Sequence, residues 1–238
     1  MSVSRLTSVF IVAAAILCYS CAELPKDQSG TIDGIRKTGR MRVGLIESPP
    51  WVIRTNGEPA GAEVELIKQF ASELGAQPEW HWGGEENLLG ALEKYELDVV
   101  VGGISDQTPW SKRVGLTRYY FEEKFDVGRP SGNTTLSDLK GQEVAVQGPR
   151  VAAFVRQKGA TPIQVDSVEN VGMRPVAAAD WQLARLGLTA SGNNLHTDKH
   201  VIAVPPGENQ MVKRLEEFLT KQHDNIPTIL QQQPEVPQ

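Results

Sequence analysis

Residues Asp98–Tyr120 read DVVVGGISDQTPWSKRVGLTRYY. Val99, Val100 and Val101 form a short β-branched run, too brief for a helix, which predicts a strand buried on both faces. Gly102 and Gly103 follow, where a backbone without side chains approaches another group closely. Ser105, Asp106, Gln107 and Thr108 then place polar groups just past the strand's carboxyl end. Open α/β sheets bind ligands at that position. Pro109 and Trp110 stiffen the end of the loop.

On the amino-terminal side the pattern alternates. Arg42–Ile46 reads as a strand that stops at Glu47-Ser48-Pro49-Pro50-Trp51, where the prolines forbid both helix and ladder. Val64, Ile67, Phe70, Ala71 and Leu74 share one face of a predicted helix over 61–74, with Gly75 at its carboxyl end. Glu79–Trp82 is a short strand, and Leu88, Leu89 and Leu92 mark a second helix. Strand, helix, strand, helix, strand implies a parallel sheet covered on both faces.

After Tyr120 the alternation restarts. Phe125–Val127 leads into a loop over 129–134, and Ser137 opens a short helical turn. Strands are predicted at 143–147, 163–165 and 200–204, with a helix over 151–158. The run 176–179 fits strand or helix. Its reading as a strand rests on Asp180 after it and on helical spacing from Trp181 to Leu186. Met211, Val212, Leu215, Phe218 and Leu219 define an amphipathic helix over 208–222. The tail from 231 is polar and proline-containing. Two α/β units suggest two lobes with a cleft between them.

The chain has 238 residues, 40% hydrophobic and 22% charged, a globular profile. A net charge of -5 without a basic cluster argues against a nucleic-acid partner. Residues 1–22 stand apart: Arg5 is their only charge, and Val9–Leu17 is an apolar core far shorter than the roughly twenty residues that span a bilayer. This reads as a secretory signal. Both cysteines, Cys18 and Cys21, lie at its end, so the body has none for an internal disulfide. Ser20-Cys21-Ala22 resembles the lipobox of bacterial lipoproteins, with Cys18 where leucine is usual, which implies lipidation at Cys21 and attachment to a membrane. Residues 23–37 read as a tether, polar from Glu23 to Gly30.

Five segments in order, MRVGLIESPPWV, GAEVELIKQFASELG, LDVVVGGISDQTPWSKRV with LTRYY, LSDLKGQEVAVQG and HVIAVPPGENQMVKRLEEFL, resemble those of bacterial family 3 extracellular solute-binding proteins. These are receptors of polar amino acid ABC transporters. The resemblance covers about residues 38–230. It implies a two-lobed type II periplasmic-binding-protein fold: lobe 1 from 38–124 plus 205–238, lobe 2 from 125–204, and hinge crossings near 125–128 and 201–204.

The resemblance also implies site residues. Gly103-Ile104-Ser105 matches the step that offers backbone and hydroxyl groups to a ligand carboxylate. Asp180 matches the acid that holds an α-amino group; as a bland alternative it is a helix cap. The family's carboxylate-gripping arginine is replaced by Trp110. Its stacking aromatics give way to Ser48, beside Glu47, and to Glu85. Its glycine-threonine-threonine helix start reads Gly148-Pro149-Arg150, where Arg150 offers a displaced cation at a helix amino terminus. Trp51 and Trp110 are candidate cleft walls. With Glu47 and Glu85 facing the cleft, its field would be negative and an amine or cationic solute preferred.

The expected protein is a monomeric receptor outside the cytoplasmic membrane, handing a small amino-acid-like solute to an ABC permease. No cofactor, metal or catalysis is expected. His196 and His200 have helical metal spacing, but the residues between them read as a loop entering a strand. The alternatives are a cyclohexadienyl dehydratase-like enzyme recruiting Glu47, Glu65 or Glu85 as acid, or a sensor without transport.

Overall fold

The structure, a computed structural model, describes residues 27–130 and 138–233. The signal segment, Cys21, the loop residues 131–134, Ser137 and the end of the tail lie outside them.

The first sheet runs in the order β2-β1-β3-β11-β4, from β1 (Arg40–Leu45), β2 (Gln77–Trp82), β3 (Val99–Val101), β4 (Gly115–Leu116) and β11 (Ala203–Val204). β1 is parallel to β2 and β3, and β11 returns antiparallel between β3 and β4. The valine run serves both faces. Val99 and Val101 join the core shared with α2 (Ala62–Glu73) and α6 (Asn209–Gln222), while Val100 packs with Leu88, Leu89 and Leu92 of α3 (Glu85–Glu93). α6 buries Met211, Leu215, Phe218 and Leu219 at helical spacing, each contributing roughly 1.5–3 kcal/mol by leaving water.

The second sheet runs β10-β5-β8-β6-β7, with β9 (Leu188–Ala190) also on β5. Its strands are β5 (Phe121–Pro130), β6 (Glu143–Val146), β7 (Thr161–Gln164), β8 (Val176–Ala179) and β10 (His196–His200). β8 is the strand predicted over 176–179, and its four residues are buried on both faces. α4 (Pro149–Gln157) packs on one face; α5 (Asp180–Arg185) leaves β8 directly.

Two strands carry the chain between the sheets. Phe121–Phe125 pairs antiparallel with His196–His200. Beyond His200 the chain is back in the first sheet's lobe: Val201 N–H donates to Ile104 O at 2.9 Å, and Ile202 O accepts from Thr117 N–H at 3.0 Å. The crossings therefore lie at 121–125 and 196–200 rather than at 125–128 and 201–204, and lobe 1 resumes at 201 rather than 205. The apolar run Val201–Val204 fills the first lobe's core, whereas the polar HTDKH segment forms the crossing strand.

The tether also ends early. Thr31–Thr38 is a helix, α1, with Ile32 and Ile35 buried. It is fixed by reciprocal capping. Glu208 accepts N–H groups from Ser29 (2.6 Å) and Thr31 (2.9 Å), and Asp27 accepts from Ile32 (3.1 Å) and from Met211 of α6 (2.8 Å). Each acid satisfies helix-start donors of the other segment. Residues 27–37 are thus part of lobe 1.

Candidate solute-binding cleft

The strongly curved step after β3 sets one rim of a cleft between the lobes. Gly102 has φ 151° and Gly103 φ 67°. A Cβ on Gly102 would lie 2.4 Å from Ile46 Cβ, and one on Gly103 would lie 2.9 Å from Ser48 Oγ. Their N–H groups donate to Glu63 Oε2 at 2.6 and 2.9 Å, and Tyr120 O–H donates to Glu63 Oε1 at 2.6 Å. Glu63 is fully buried. Burial pushes its carboxyl above the usual range, and the Tyr120 and Gly103 donors pull it back.

A cavity of about 180 Å³ opens beside this rim. That is the liquid volume of roughly six waters, the scale of a small solute. Lobe 1 contributes Ser48, Pro49, Pro50, Trp51 and Gly103; lobe 2 contributes Gln147, Arg150, Trp181, Gln182 and Arg185. The crossing strands contribute Glu123, Phe125 and His200.

Of the sequence-predicted residues, the cavity gathers Gly103, Trp51 and Arg150. Trp51 is buried and stacks on His200, ring centroids 4.0 Å apart. Arg150 sits in the first turn of α4 and ion-pairs through Nη2 with Asp198 Oδ2. Ser105 bridges the backbone of His200, and its Oγ accepts from Gln107 N–H at 3.3 Å. Asp180 starts α5, exposed between the cavity-lining Ala179 and Trp181. Partial desolvation raises its carboxyl pKa, Trp181 N–H opposes this, and the nearby Glu123 charge adds to the rise.

Three predicted contacts lie elsewhere. Glu47 pairs with Arg54 at 3.2 Å, both half-exposed. Glu85, in the first turn of α3, accepts from Thr108 O–H at 3.4 Å. Trp110 packs on the Leu88–Leu92 core, and its ring face is already covered by Arg113, 4.1 Å away. Arg113 in turn holds Glu93 at 2.5 Å. Neither Glu47 nor Glu85 lines the cavity. The charged lining is instead Glu123, Arg150 and Arg185, the last paired with Glu169 at 3.5 Å.

Sequence reasoning missed the crossing ribbon. Phe121, Glu123 and Phe125 stand opposite His200, Asp198 and His196 in register. His200 Nε2 lies 3.1 Å from Glu123 Oε2, and His196 Nε2 lies 3.0 Å from Asp198 Oδ1. Trp181 Nε1–H donates to Glu123 Oε1 at 2.9 Å. The signal available was the alternation of Phe121, Glu123 and Phe125 in one strand; the HTDKH segment, polar at every position, carries none.

A two-lobed α/β protein with a small, polar, aromatic-walled cavity at the crossing of its lobes is built to enclose a solute. The chain belongs to the bacterial extracellular solute-binding proteins, family 3, whose model matches residues 41–231. Members of this family bind small-molecule solutes. The ancestral cationic amino acid solute binding protein AncCDT-1 superposes with a TM-score of 0.69 at 18% identity, over 83% of this chain and 98% of that one. A mutant of ArgBP from T. maritima gives 0.51 at 21% identity, over 82% and 96%. These likenesses show the fold. A membrane-bound lytic murein transglycosylase F from Vibrio parahaemolyticus is 27% identical over 125 residues, 51% of this chain. The chain's match spans only 24% of that relative. Among the described residues, no helix is long and apolar enough to cross a membrane.

Proposed function

We propose that the protein captures a small polar, amino-acid-like solute outside the cytoplasmic membrane and presents it unaltered to the permease of an ABC importer. The observation that carries this reading is the interlobe cavity, lined from both lobes and from the strands that join them. Such a site needs only a higher affinity for solute in the closed arrangement than in the open one. Arg150 is the group placed to take a solute carboxylate. Asp198 uses one arm of its guanidinium, and a guanidinium has five N–H donors. None of Glu47, Glu65 and Glu85, the acids expected for dehydratase-like chemistry, lines the cavity.

The sequence resemblance adds a monomer held at the membrane through lipidated Cys21. The test is a thermal-shift screen of amino acids, amines and dicarboxylates on the mature protein. A ligand that binds only the folded state raises the melting temperature by mass action, about 2.7 kcal/mol at a hundredfold excess over Kd. Unchanged melting across the panel would remove the receptor reading.

A further inference from the structure

Trp181 lies in the first turn of α5, directly after the buried strand β8 of lobe 2. Its side chain packs against two hydrophobic cores, that of lobe 2 and that of lobe 1. The indole is held in this pose from a third side, since Nε1–H donates to Glu123 Oε1 of the crossing strand at 2.9 Å. On the lobe 1 side, α5 meets a further helix, α7 (Ile226–Gln231), which follows α6 through a short turn. Pro227 in its first turn presets the backbone of α7. Six residues do not hold a helix by themselves. Ile226 and Leu230, four apart and fully buried, seat it in the lobe 1 core, the cluster that Trp181 also touches. Leu230 and Gln233 line the cavity. The carboxyl-terminal segment therefore forms a further wall of the cavity, anchored in one lobe and resting on a helix of the other.

We propose that α7 is a strap across the cleft, fastened by Trp181, which holds the lobes closed before any solute arrives. This rests on the reading that the cleft is the place where the lobes open and close. Opening has to part α5 from α7 and draw the Trp181 ring off the lobe 1 core. A tryptophan buries about 150–250 Å2 in all, and exposing roughly half of that disfavours the open form by roughly 20- to 200-fold. The factor applies with the cavity empty or full, because the ring touches protein on both sides. A solute then meets an arrangement that is already populated, and its affinity is not reduced by a closing step. Exchange of solute falls to the strap: a short helix near the chain end, held by two buried side chains, is the kind of element that opens locally while the rest stays folded.

The test is small-angle X-ray scattering of the mature protein, refolded from guanidinium to strip any solute carried from the cells. The scattering curve of the unaltered, stripped protein is expected to match the closed structure. Trp181→Ala is expected to increase the radius of gyration. Trp181→Phe keeps an aromatic ring between the cores and loses only the indole donor, so it should stay closed. An expanded curve for the unaltered protein would overturn the strap. So would a folded Trp181→Ala whose curve superimposes on that of the parent. If Trp181→Ala does not fold, judged by circular dichroism, Trp181→Leu replaces it with the same expectation. If that variant also fails to fold, the curve of the unaltered protein decides alone. The receptor reading fails separately, on the thermal-shift screen, since scattering of the stripped protein involves no solute.

Discussion

Replacing Glu63 by alanine removes the group that holds the Gly102–Gly103 rim. Three donors lose their acceptor: the two glycine N–H groups and the Tyr120 hydroxyl, all within 2.9 Å. The site is buried, so water does not replace the carboxylate. Each unsatisfied buried donor costs roughly 1–3 kcal/mol, which gives about 3–9 kcal/mol for the three. We expect a loss near 5 kcal/mol, a large part of a domain's stability. Glu63→Gln is milder. Its carbonyl oxygen can face the glycines, and its NH2 can donate to the Tyr120 oxygen; the charge assistance lost is offset by the desolvation cost removed with the charge, which leaves a change of less than about 2 kcal/mol. Urea unfolding separates the two. With a slope of roughly 2 kcal/mol per molar, alanine shifts the midpoint by about 2 M or more and glutamine by less than about 1 M. The pH dependence adds a sign. Burial raises the folded pKa of Glu63 above 4.5, its ordinary value, so the folded state holds the proton longer than the unfolded chain. Its contribution to stability is complete below pH 4.5 and diminishes as pH rises through the folded pKa. Glu63→Gln removes that slope. A loss under about 1 kcal/mol for alanine would refute the claim that these three hydrogen bonds hold the rim.

Three further substitutions test other parts. Gly102→Ala should cost about 3 kcal/mol or more, because its Cβ would meet Ile46 backbone and side chain at 2.4–2.5 Å; a melting temperature within a few degrees of the parent would contradict that geometry. Glu208→Ala should cost about 2–4 kcal/mol by orphaning the Ser29 and Thr31 N–H groups, and should expose α1 to limited proteolysis; an unchanged cleavage pattern would show that the reciprocal caps do not hold the amino-terminal segment. Cys21→Ala should release the protein from membranes or leave its precursor uncut; fractionation showing it processed and membrane-bound as before would exclude the lipid anchor.

The lobes were legible where hydrophobic period and strand length agree. Val99–Val101 is too short for anything but a strand, and α2 and α6 have apolar stripes of helical period. The amino-terminal boundary was not legible. In TIDGIRKT only Ile32 and Ile35 are apolar, and the caps that hold this helix come from Asp27 and, 177 residues away for Thr31, from Glu208. Side-chain capping at that separation leaves no local pattern.

The cleft shows the same division more sharply. Trp51, Gly103 and Arg150 line the cavity, and each lies in a motif read along the chain. Glu47, Glu85 and Trp110, named by the same reading, do not line it. Their chain positions fit, but each has a nearer partner: Arg54, Thr108 and Arg113. Glu123 and His200 were invisible for the opposite reason. A strand facing an apolar core announces itself by alternating hydrophobicity. A strand whose inner face lines a polar cavity alternates between two kinds of polar residue. In HTDKH the inward positions are His196, Asp198 and His200, and the outward ones Thr197 and Lys199. The segment therefore reads as a loop. The partner strand does carry the pattern, with Phe121 and Phe125 flanking Glu123. A buried acid between two inward aromatics has to be satisfied by other elements, here by His200 of the crossing strand and Trp181 of α5, neither of them near it in sequence.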